Sequence, residues 1–289
     1  MVTVAVVGGA GRMGNWFAKF LKSNRYGVLI SDRNKQAGKA CSRRLATEFV
    51  GDYLVAAKRA DVIMLATPTK ETNSILKQLA RELKPGTLIV EISSVKAPVQ
   101  RTIAALQESG VPVLSIHPMF GPGAKTLKGR SILEVSKPRH REAERLLSIL
   151  RRRGARIVRC PIDKHDTLAS IVIALPHLMN ISLIETLRTL GISLNEVNMV
   201  SGTTFKLQSL IAEAIYQEDP ANEISILADS NSSVLLTYNQ RVRAMLSIIR
   251  NKPDDISQIL SAGRCLIEMD RHFADSYERF NRAVQAALV

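Results

Sequence analysis

The fold is decided by the stretch TVAVVGGAGRMG at residues 3–14. Its first half is an unbroken apolar run, which is typical of a strand buried on both faces of a parallel sheet. Its second half is rich in glycine, and apolar side chains at helical spacing follow it up to Lys22. The stretch therefore predicts a first strand at residues 3–8, a tight turn, and a first helix at residues 12–22.

The turn matches the pattern G-x-G-x-x-G, which in a strand–turn–helix context indicates dinucleotide binding. We expect Gly9 to permit the tight turn, Gly11 to let a pyrophosphate approach the backbone, and Gly14 to let the helix pack on the strand. The free N–H groups of the helix N-terminus would then face the phosphates. A glycine turn without a ligand is the alternative. The residues predicted to contact the cofactor here are Gly9, Gly11, Arg12, Met13 and Gly14.

A carboxylate follows the second predicted strand, at Asp32. A carboxylate in this place accepts hydrogen bonds from the ribose hydroxyls of NAD and repels the 2′-phosphate of NADP. Arg33 and Lys35 come next and would suit NADP instead. We expect NAD, with NADP as the alternative, and we include Arg33 among the cofactor residues. A turn residue that caps the next helix is the plain alternative for Asp32.

Strands and helices alternate through the first half of the chain, which indicates an α/β domain with a doubly wound, Rossmann-type parallel sheet. After Pro161 the β-branched runs disappear and long amphipathic stretches begin. These predict an all-helical second domain, and we set the domains at residues 1–162 and 163–289. Further strands are predicted at 27–31, 61–66, 87–92, 111–116, 131–135 and 155–159, and helices at 52–59, 71–83, 98–109, 168–190, 222–250, 253–263 and 264–287.

Composition excludes several classes of protein. The chain has 289 residues, 46% of them hydrophobic and 23% charged, so it is neither a disordered chain nor a disulfide-stapled mini-protein. No window approaches the length of apolar sequence that a membrane span needs, and the N-terminus is predicted to be a strand rather than a signal peptide. Three widely spaced cysteines suggest a reducing compartment and no zinc site. The net charge of +14 indicates either a solvated basic surface or attraction of anionic ligands or nucleic acid.

Three segments follow later strands, where ligands gather in such sheets. They are Ala66–Thr69 (ATPT), Ile92–Lys96 (ISSVK) and Ile116–Pro122 (IHPMFGP). Together they resemble the prephenate/arogenate dehydrogenase family of tyrosine biosynthesis, and IHPMFGP is the most specific match. In the second half, ALPH at 174–177 and SGTTFK at 201–206 are similar to the family's substrate segments, and the helices fit its dimerisation domain.

The resemblance implies an NAD-dependent oxidative decarboxylation. It makes His117 the catalytic histidine that hydrogen-bonds the substrate hydroxyl, and Ser94 the serine that orients it. It makes Lys96, His177 and Lys206 substrate-binding residues, and it adds Thr67 and Pro68 to the cofactor site. The alternative for His117 is a structural role as a histidine before a proline turn. The alternative for His177 is a structural role as a histidine in the core. The resemblance further implies a small-molecule substrate, a homodimer in the cytoplasm, and neither a metal, nor nucleic acid, nor a membrane as partner.

Three positions depart from the family pattern. Lys206 stands where an arginine commonly grips the substrate side-chain carboxylate, and lysine keeps the charge but loses the bidentate fork. Gly123 replaces a frequent acidic residue, and Ala174 replaces a histidine of some members. These departures leave open whether prephenate or arogenate is the substrate. Two alternatives to this function remain: a two-domain dehydrogenase of the β-hydroxyacid type, for which Lys206 would be the acid/base, and a non-catalytic protein that senses dinucleotides or binds nucleic acid.

Overall fold

The computed structural model describes residues 1–218, 220–270 and 272–287. It divides the chain into two compact units, Met1–Asp166 and Thr167–Val289. The division falls inside a helix, Ile162–Ala169, rather than in a loop. The predicted boundary between residues 162 and 163 lies at the beginning of the same helix.

The first unit, all of whose residues are described, is built on one eight-stranded sheet. The order of the strands is β3-β2-β1-β4-β5-β6-β7-β8, and neighbouring strands are parallel except β6 and β7. The antiparallel pairing of β7 departs from an all-parallel sheet, while β8 pairs parallel to β7 again. The strands are β1 (Thr3–Val7), β2 (Gly27–Ser31), β3 (Glu48–Phe49), β4 (Val62–Leu65), β5 (Leu88–Glu91), β6 (Val113–Pro118), β7 (Ser131–Ser136) and β8 (Arg156–Arg159).

Helices connect these strands in the expected alternation. They are α1 (Arg12–Ser23), α2 (Lys35–Leu45), α3 (Tyr53–Lys58), α4 (Thr69–Leu79), α5 (Ala97–Glu108), α6 (Arg141–Arg152) and α7 (Ile162–Ala169). Helix α2 and the two-residue strand β3 were not among the elements predicted from the sequence. Helix α2 buries only small or isolated side chains, such as Gly38 and Cys41, so its apolar period is weak.

Both faces of the sheet are covered by apolar side chains. One cluster joins Val4, Val6 and Ile30 of the sheet to Phe17 and Leu21 of α1. Another joins strands β4 and β5 to α4 and α5. The continuous apolar strands are therefore buried on both sides, as their sequences predict.

The second unit is helical in its described residues. After α7 the chain makes a π-helical turn, Ser170–Ala174, and continues into α8 (Leu175–Leu190). The predicted helix at 222–250 is interrupted, because Asn231 caps a new helix there through its side chain. The remaining helices are α9 (Leu194–Val200), α10 (Thr203–Tyr216), α11 (Pro220–Ala228), α12 (Ser232–Asn251), α13 (Ile256–Ile267) and α14 (Ser276–Ala287), with a short 3₁₀ turn at Pro253–Asp255.

One helical run bears on the prediction that no segment spans a membrane. The described residues contain one helical run, Ile162–Leu190, that is long and apolar enough to cross a membrane by length and composition. Only 22% of its most apolar window is buried in the chain. Polar residues such as Thr167 and Ser170 interrupt this run, so it is not the unbroken apolar window on which the sequence prediction was based.

Candidate active site

The glycine turn after β1 is shaped by backbone packing. Gly8 has φ = 76°, a conformation that favours glycine. A Cβ on Gly14 would lie 2.1 Å from the carbonyl oxygen of Gly8, so the start of α1 can approach the turn only through a glycine. The tight turn was assigned to Gly9, but Gly8 makes it. Gly9 is constrained instead by its neighbours, because a Cβ there would lie 2.9 Å from the oxygen of Val6.

The N-terminus of α1 has no anionic group of its own. Gly11 is the N-cap, no side chain caps the helix, and its first turn holds no acidic residue. Arg12 is exposed and Met13 is half-buried at the first helical positions. The N–H groups and the positive end of this 12-residue helix are therefore arranged to receive an anion.

Asp32 lies beside this turn. Its Oδ2 accepts a hydrogen bond of 3.0 Å from the N–H of Ala10, and its Oδ1 accepts one of 3.0 Å from the N–H of Asn34. The carboxylate is thus held against the glycine turn. Asn34, rather than Asp32, caps α2 through its side chain. The structure therefore does not give Asp32 the helix-capping role that was its plain alternative.

The other predicted cofactor residues line neighbouring strand ends. The guanidinium of Arg33 is exposed and forms an ion pair with Glu71 of α4. The hydroxyl of Thr67 lies 2.8 Å from that of Thr72, and Pro68 is the exposed N-cap of α4.

The loop after β6 is anchored to α1 by the only tryptophan of the chain. The indole Nε1–H of Trp16 donates a hydrogen bond of 2.8 Å to the carbonyl oxygen of Ala124. Its ring stacks on Phe20 and lies 5.0 Å from the ring of Phe120. The segment that follows His117 is therefore fixed to the helix of the glycine turn.

His117 lies near the carboxyl end of β6 and is 3% exposed. Its Nδ1 lies 3.0 Å from Nε2 of His165, which is fully buried in α7. The Nδ1 of His165 lies 2.6 Å from Oδ1 of Asp166. The two imidazoles and the carboxylate therefore form one continuous hydrogen-bonded chain, and among the described residues the Nε2 of His117 has no partner.

A buried ion pair contacts the backbone next to His117. The ammonium of Lys96 donates hydrogen bonds of 2.8 Å to Oε2 of Glu91 and 2.9 Å to the carbonyl oxygen of Ile116. Glu91 also accepts from the hydroxyl of Ser115 at 2.8 Å and from the N–H of Ser93. The side chains of Lys96 and Glu91 are both fully buried. Lys96, predicted to bind substrate, instead has its ammonium inside the first unit.

These contacts shift the protonation of the site. Burial lowers the pKa of His117 well below its ordinary value of 6.5. Lys96 and His165 lower this pKa further, and the nearby Asp166 raises it by less. Burial also lowers the pKa of Lys96, against the opposing effect of Glu91. Burial raises the pKa of Asp166, but hydrogen bonds from His165 and from two backbone N–H groups outweigh it and leave that pKa below its ordinary value. At neutral pH His117 is therefore an uncharged imidazole.

No hydrogen bond joins Ser94 to His117 among the described residues. Ser94 is exposed in the bend after β5. The partner that orients His117 in the structure is His165.

In the second unit, His177 and Lys206 occupy separate helices. The Nδ1 of His177, in α8, lies 2.6 Å from Oε2 of Glu223 in α11. The other oxygen of Glu223 is buried without a hydrogen-bond partner among the described residues. Lys206 is half-buried in the first turn of α10. The structure therefore shows His177 paired with Glu223, and it does not by itself show that His177 binds a substrate or a cofactor.

Four members of this network were not predicted from the sequence: Glu91, Ser115, His165 and Asp166. A signal for Glu91 was present, because a carboxylate inside the buried run LIVE needs an internal partner. His165 and Asp166 gave no comparable signal, since their setting also fits an ordinary helix start. Among the described residues, no three His, Cys, Asp or Glu side chains lie together as a metal site would require.

Known proteins are similar to both parts of the chain. Residues 17–137 match the family model of the prephenate dehydrogenase nucleotide-binding domain, and residues 161–285 match that of the prephenate dehydrogenase dimerization domain. The chain is similar to a probable arogenate/prephenate dehydrogenase of Methanocaldococcus jannaschii, with 26% identity over 96% of this chain and 62% of that protein. It is also similar to a 4-amino-4-deoxyprephenate dehydrogenase of Streptomyces pristinaespiralis, with 32% identity over 60% of this chain and 58% of that protein. The matched region thus spans about three-fifths of the length of each of these two relatives.

Among solved structures, the fold is similar to that of prephenate dehydrogenase from A. aeolicus in complex with hydroxyphenyl propionate and NAD+. The TM-score is 0.71, the identity is 19%, and the match covers 93% of this chain and 99% of that one. The two domain models follow each other along the chain in the order and positions of the sheet unit and the helical unit. The chain therefore belongs to the prephenate dehydrogenase family.

Proposed function

We propose that this protein is an NAD-dependent dehydrogenase that oxidatively decarboxylates prephenate or arogenate in tyrosine biosynthesis. The observation that carries the proposal is His117, an uncharged and buried imidazole with an unpartnered Nε2 near the carboxyl end of β6. The glycine turn follows the carboxyl end of β1 in the same parallel part of the sheet. Both groups therefore lie at the edge where ligands bind in such folds.

The residues of the glycine turn fit a dinucleotide. The uncapped N-terminus of α1 suits a pyrophosphate, and the carboxylate of Asp32 beside the turn suits ribose hydroxyls rather than a 2′-phosphate. Arg33, one of the two residues that would favour NADP, is paired with Glu71. These features favour NAD, the cofactor that accompanies the A. aeolicus enzyme in its solved complex.

The task of His117 is to accept the proton of the substrate hydroxyl through Nε2. When bound, the nicotinamide supplies the acceptor for the hydride that leaves the ring carbon bearing this hydroxyl. The bond from the ring to its carboxylate breaks, carbon dioxide leaves, and the electron pair enters the ring, which becomes aromatic. The proton then returns from His117 to the phenolic oxygen. The overall reaction therefore transfers one hydride, releases carbon dioxide and leaves no net proton on the protein.

Other predicted residues keep roles in this proposal. Ser94 is exposed after β5 and would contact the substrate. Lys96 would act indirectly, because its hydrogen bond to Ile116 fixes the strand that carries His117. His177 would lie beside the substrate, and Lys206 would bind the side-chain carboxylate of the substrate. A lysine at position 206 forms a weaker grip than the arginine common in the family, because it lacks a bidentate fork.

The direct test is turnover. The purified protein is mixed with NAD and either prephenate or arogenate, and the formation of NADH is followed by absorbance. We expect turnover with at least one substrate, and a drop in kcat of about 100-fold or more in His117→Asn, as for loss of a general base. A protein that binds NAD but oxidises neither substrate contradicts the proposal. Unchanged kcat in His117→Asn would favour the β-hydroxyacid type of dehydrogenase.

We further propose that the protein is a homodimer of the cytoplasm, without nucleic acid or a membrane as partner. Its second domain matches a dimerization domain, and the described helices there expose many large apolar side chains, among them Leu190, Leu246 and Leu266. All three cysteines are free thiols. Light scattering is expected to give twice the chain mass of 31.8 kDa, and a mass equal to one chain contradicts the dimer.

A further inference from the structure

Two residues of α7 continue the hydrogen-bonded chain that begins at His117. His165 contacts His117 through Nε2 and Asp166 through Nδ1, at 3.0 and 2.6 Å. Asp166 is itself fixed, because its two oxygens accept the backbone N–H groups of Lys96 at 2.8 Å and Ala97 at 2.7 Å. Asp166, the last member of this series of hydrogen bonds, is therefore fixed to the N-terminus of α5. The two imidazoles consequently have little freedom to turn.

The donors and acceptors of this chain follow from its anchored end. An ionised Asp166 only accepts hydrogen bonds, so the Nδ1 of His165 carries a proton. His165 is fully buried, and burial disfavours the charge that a second proton on its imidazole would add. The Nε2 of an uncharged His165 is bare and accepts the proton of Nδ1 of His117. An uncharged His117 then has a bare Nε2.

Three charged groups lie around His117, and they act in opposite directions on its protonation. They are Lys96 in the loop before α5, Glu91 at the end of β5, and Asp166 in α7. The ammonium of Lys96 is bound to the carbonyl oxygen of Ile116, so it fixes the backbone just before His117 and opposes protonation of that imidazole. Asp166 favours protonation of His117, but burial and Lys96 outweigh it, so the imidazole of His117 stays uncharged.

We propose that His165 and Asp166 are positioning residues that hold His117 in the tautomer with a proton on Nδ1 and a bare Nε2. This inference rests on the proposed function for its kinetic consequence, because a bare Nε2 is what accepts the proton of a substrate hydroxyl. The opposite tautomer would present a donor to that hydroxyl.

The first experiment reads the tautomer without turnover. Protein labelled with ¹⁵N in its histidines is studied by NMR at neutral pH, and the His117 signals are assigned from the spectrum of His117→Asn. We expect a protonated Nδ1 and a bare Nε2 in the unsubstituted protein, and a mixture of tautomers in His165→Leu. A proton on Nε2 of His117 in the unsubstituted protein overturns the proposal, whatever substrate the protein uses.

The second experiment compares side chains that keep or remove the acceptor. The amide oxygen of His165→Gln can still accept the proton of Nδ1, whereas His165→Leu offers no acceptor. We expect kcat to fall about 100-fold in His165→Leu, within the range for misplaced general bases, with KM changed less than about threefold. His165→Gln is expected to recover at least about tenfold of that loss. Asp166→Asn is expected to resemble His165→Leu. Its amide can donate a hydrogen bond to Nδ1 of His165 and so reverse the direction of the hydrogen bonds that lead to His117.

The control is His140→Asn, since His140 caps α6 and lies outside this network. It is expected to keep the kcat of the unsubstituted protein. Equal losses in His165→Leu and His165→Gln, or a loss confined to KM, would reduce His165 to a packing residue and overturn the proposal. If the unsubstituted protein oxidises neither prephenate nor arogenate, the proposed function fails while the NMR result still decides the tautomer.

Discussion

The sheet unit and the helical unit differ in packing and in charge. Among the described residues, large exposed apolar side chains lie almost entirely in the helical unit, and the exceptions are Met1, Val55 and Val158. Residues 1–166 carry 30 Lys and Arg against 13 Asp and Glu, a net charge of +17, whereas residues 167–289 carry 10 against 13, a net charge of −3. The positive charge of the chain therefore belongs to the unit with the glycine turn and His117.

This difference separates two kinds of stability. The sheet unit buries its apolar strands and a polar network inside itself, so single changes there should have large costs. The helical unit leaves apolar faces open, so its single changes should cost little in one chain. The following substitutions test this contrast, from the largest expected effect to the smallest.

The largest effect is expected from Lys96→Met. It leaves Glu91 charged and buried without its ammonium partner, which costs about 3–5 kcal/mol of unfolding free energy. The measurement is urea-induced unfolding. Arg264→Met, which breaks the exposed pair with Glu268 in the helical unit, is expected to cost less than about 0.5 kcal/mol.

A double variant checks the cause of that loss. Glu91→Leu combined with Lys96→Met removes both charges and should recover part of the stability. Equal costs for Lys96→Met and Arg264→Met would remove the contrast between the two units.

A pair of glycine substitutions is expected to have opposite signs. Gly14→Ala places a Cβ 2.1 Å from a backbone oxygen, so it should cost about 1–3 kcal/mol and weaken NAD binding. Gly263→Ala, inside α13 with no atom within 4 Å of the new Cβ, should stabilise by about 0.5–1 kcal/mol. Unfolding in urea and titration with NAD measure both effects. Two changes of the same sign would contradict the packing described here.

The smallest effect is a dependence of stability on pH. The pKa of His117 is lowered in the folded state, so the unfolded chain binds more protons below pH 6.5 and the folded state loses stability as the pH falls through that value. One such group contributes at most about 1.4 kcal/mol per pH unit. Thermal unfolding between neutral and mildly acidic pH should show a smaller loss in His117→Asn than in the unsubstituted protein. An identical slope in both would mean that His117 is not the group responsible.

Local patterns predicted most of the first unit. The apolar runs gave the strands within a few residues, and the glycine spacing gave the start of α1. Helix α2 escaped because its sequence, KQAGKACSRRL, is mostly polar with few large apolar residues. The antiparallel direction of β7 escaped because strand direction depends on the route of the loop before it, which periodicity does not encode.

The site was predictable only where a residue sits at a strand end. His117 and Asp32 satisfy that condition, and both were identified from the sequence. The hydrogen-bond partner of His117 and the carboxylate that accepts the backbone N–H of Lys96 were not predictable, because His165 is 48 residues from His117 and Asp166 is 70 residues from Lys96. Buried charges meet their partners through the register of the sheet, so a sequence shows the need for a partner and not its identity.

The position of Trp16 gives the protein an optical signal of its own. Since the chain has no other tryptophan, its fluorescence arises from one indole that touches both the helix of the glycine turn and the loop after His117. A ligand that shifts that loop would change the contacts of this ring with Ala124 and Phe120. The emission spectrum can therefore report binding at the sheet edge in real time, with no added dye and no turnover.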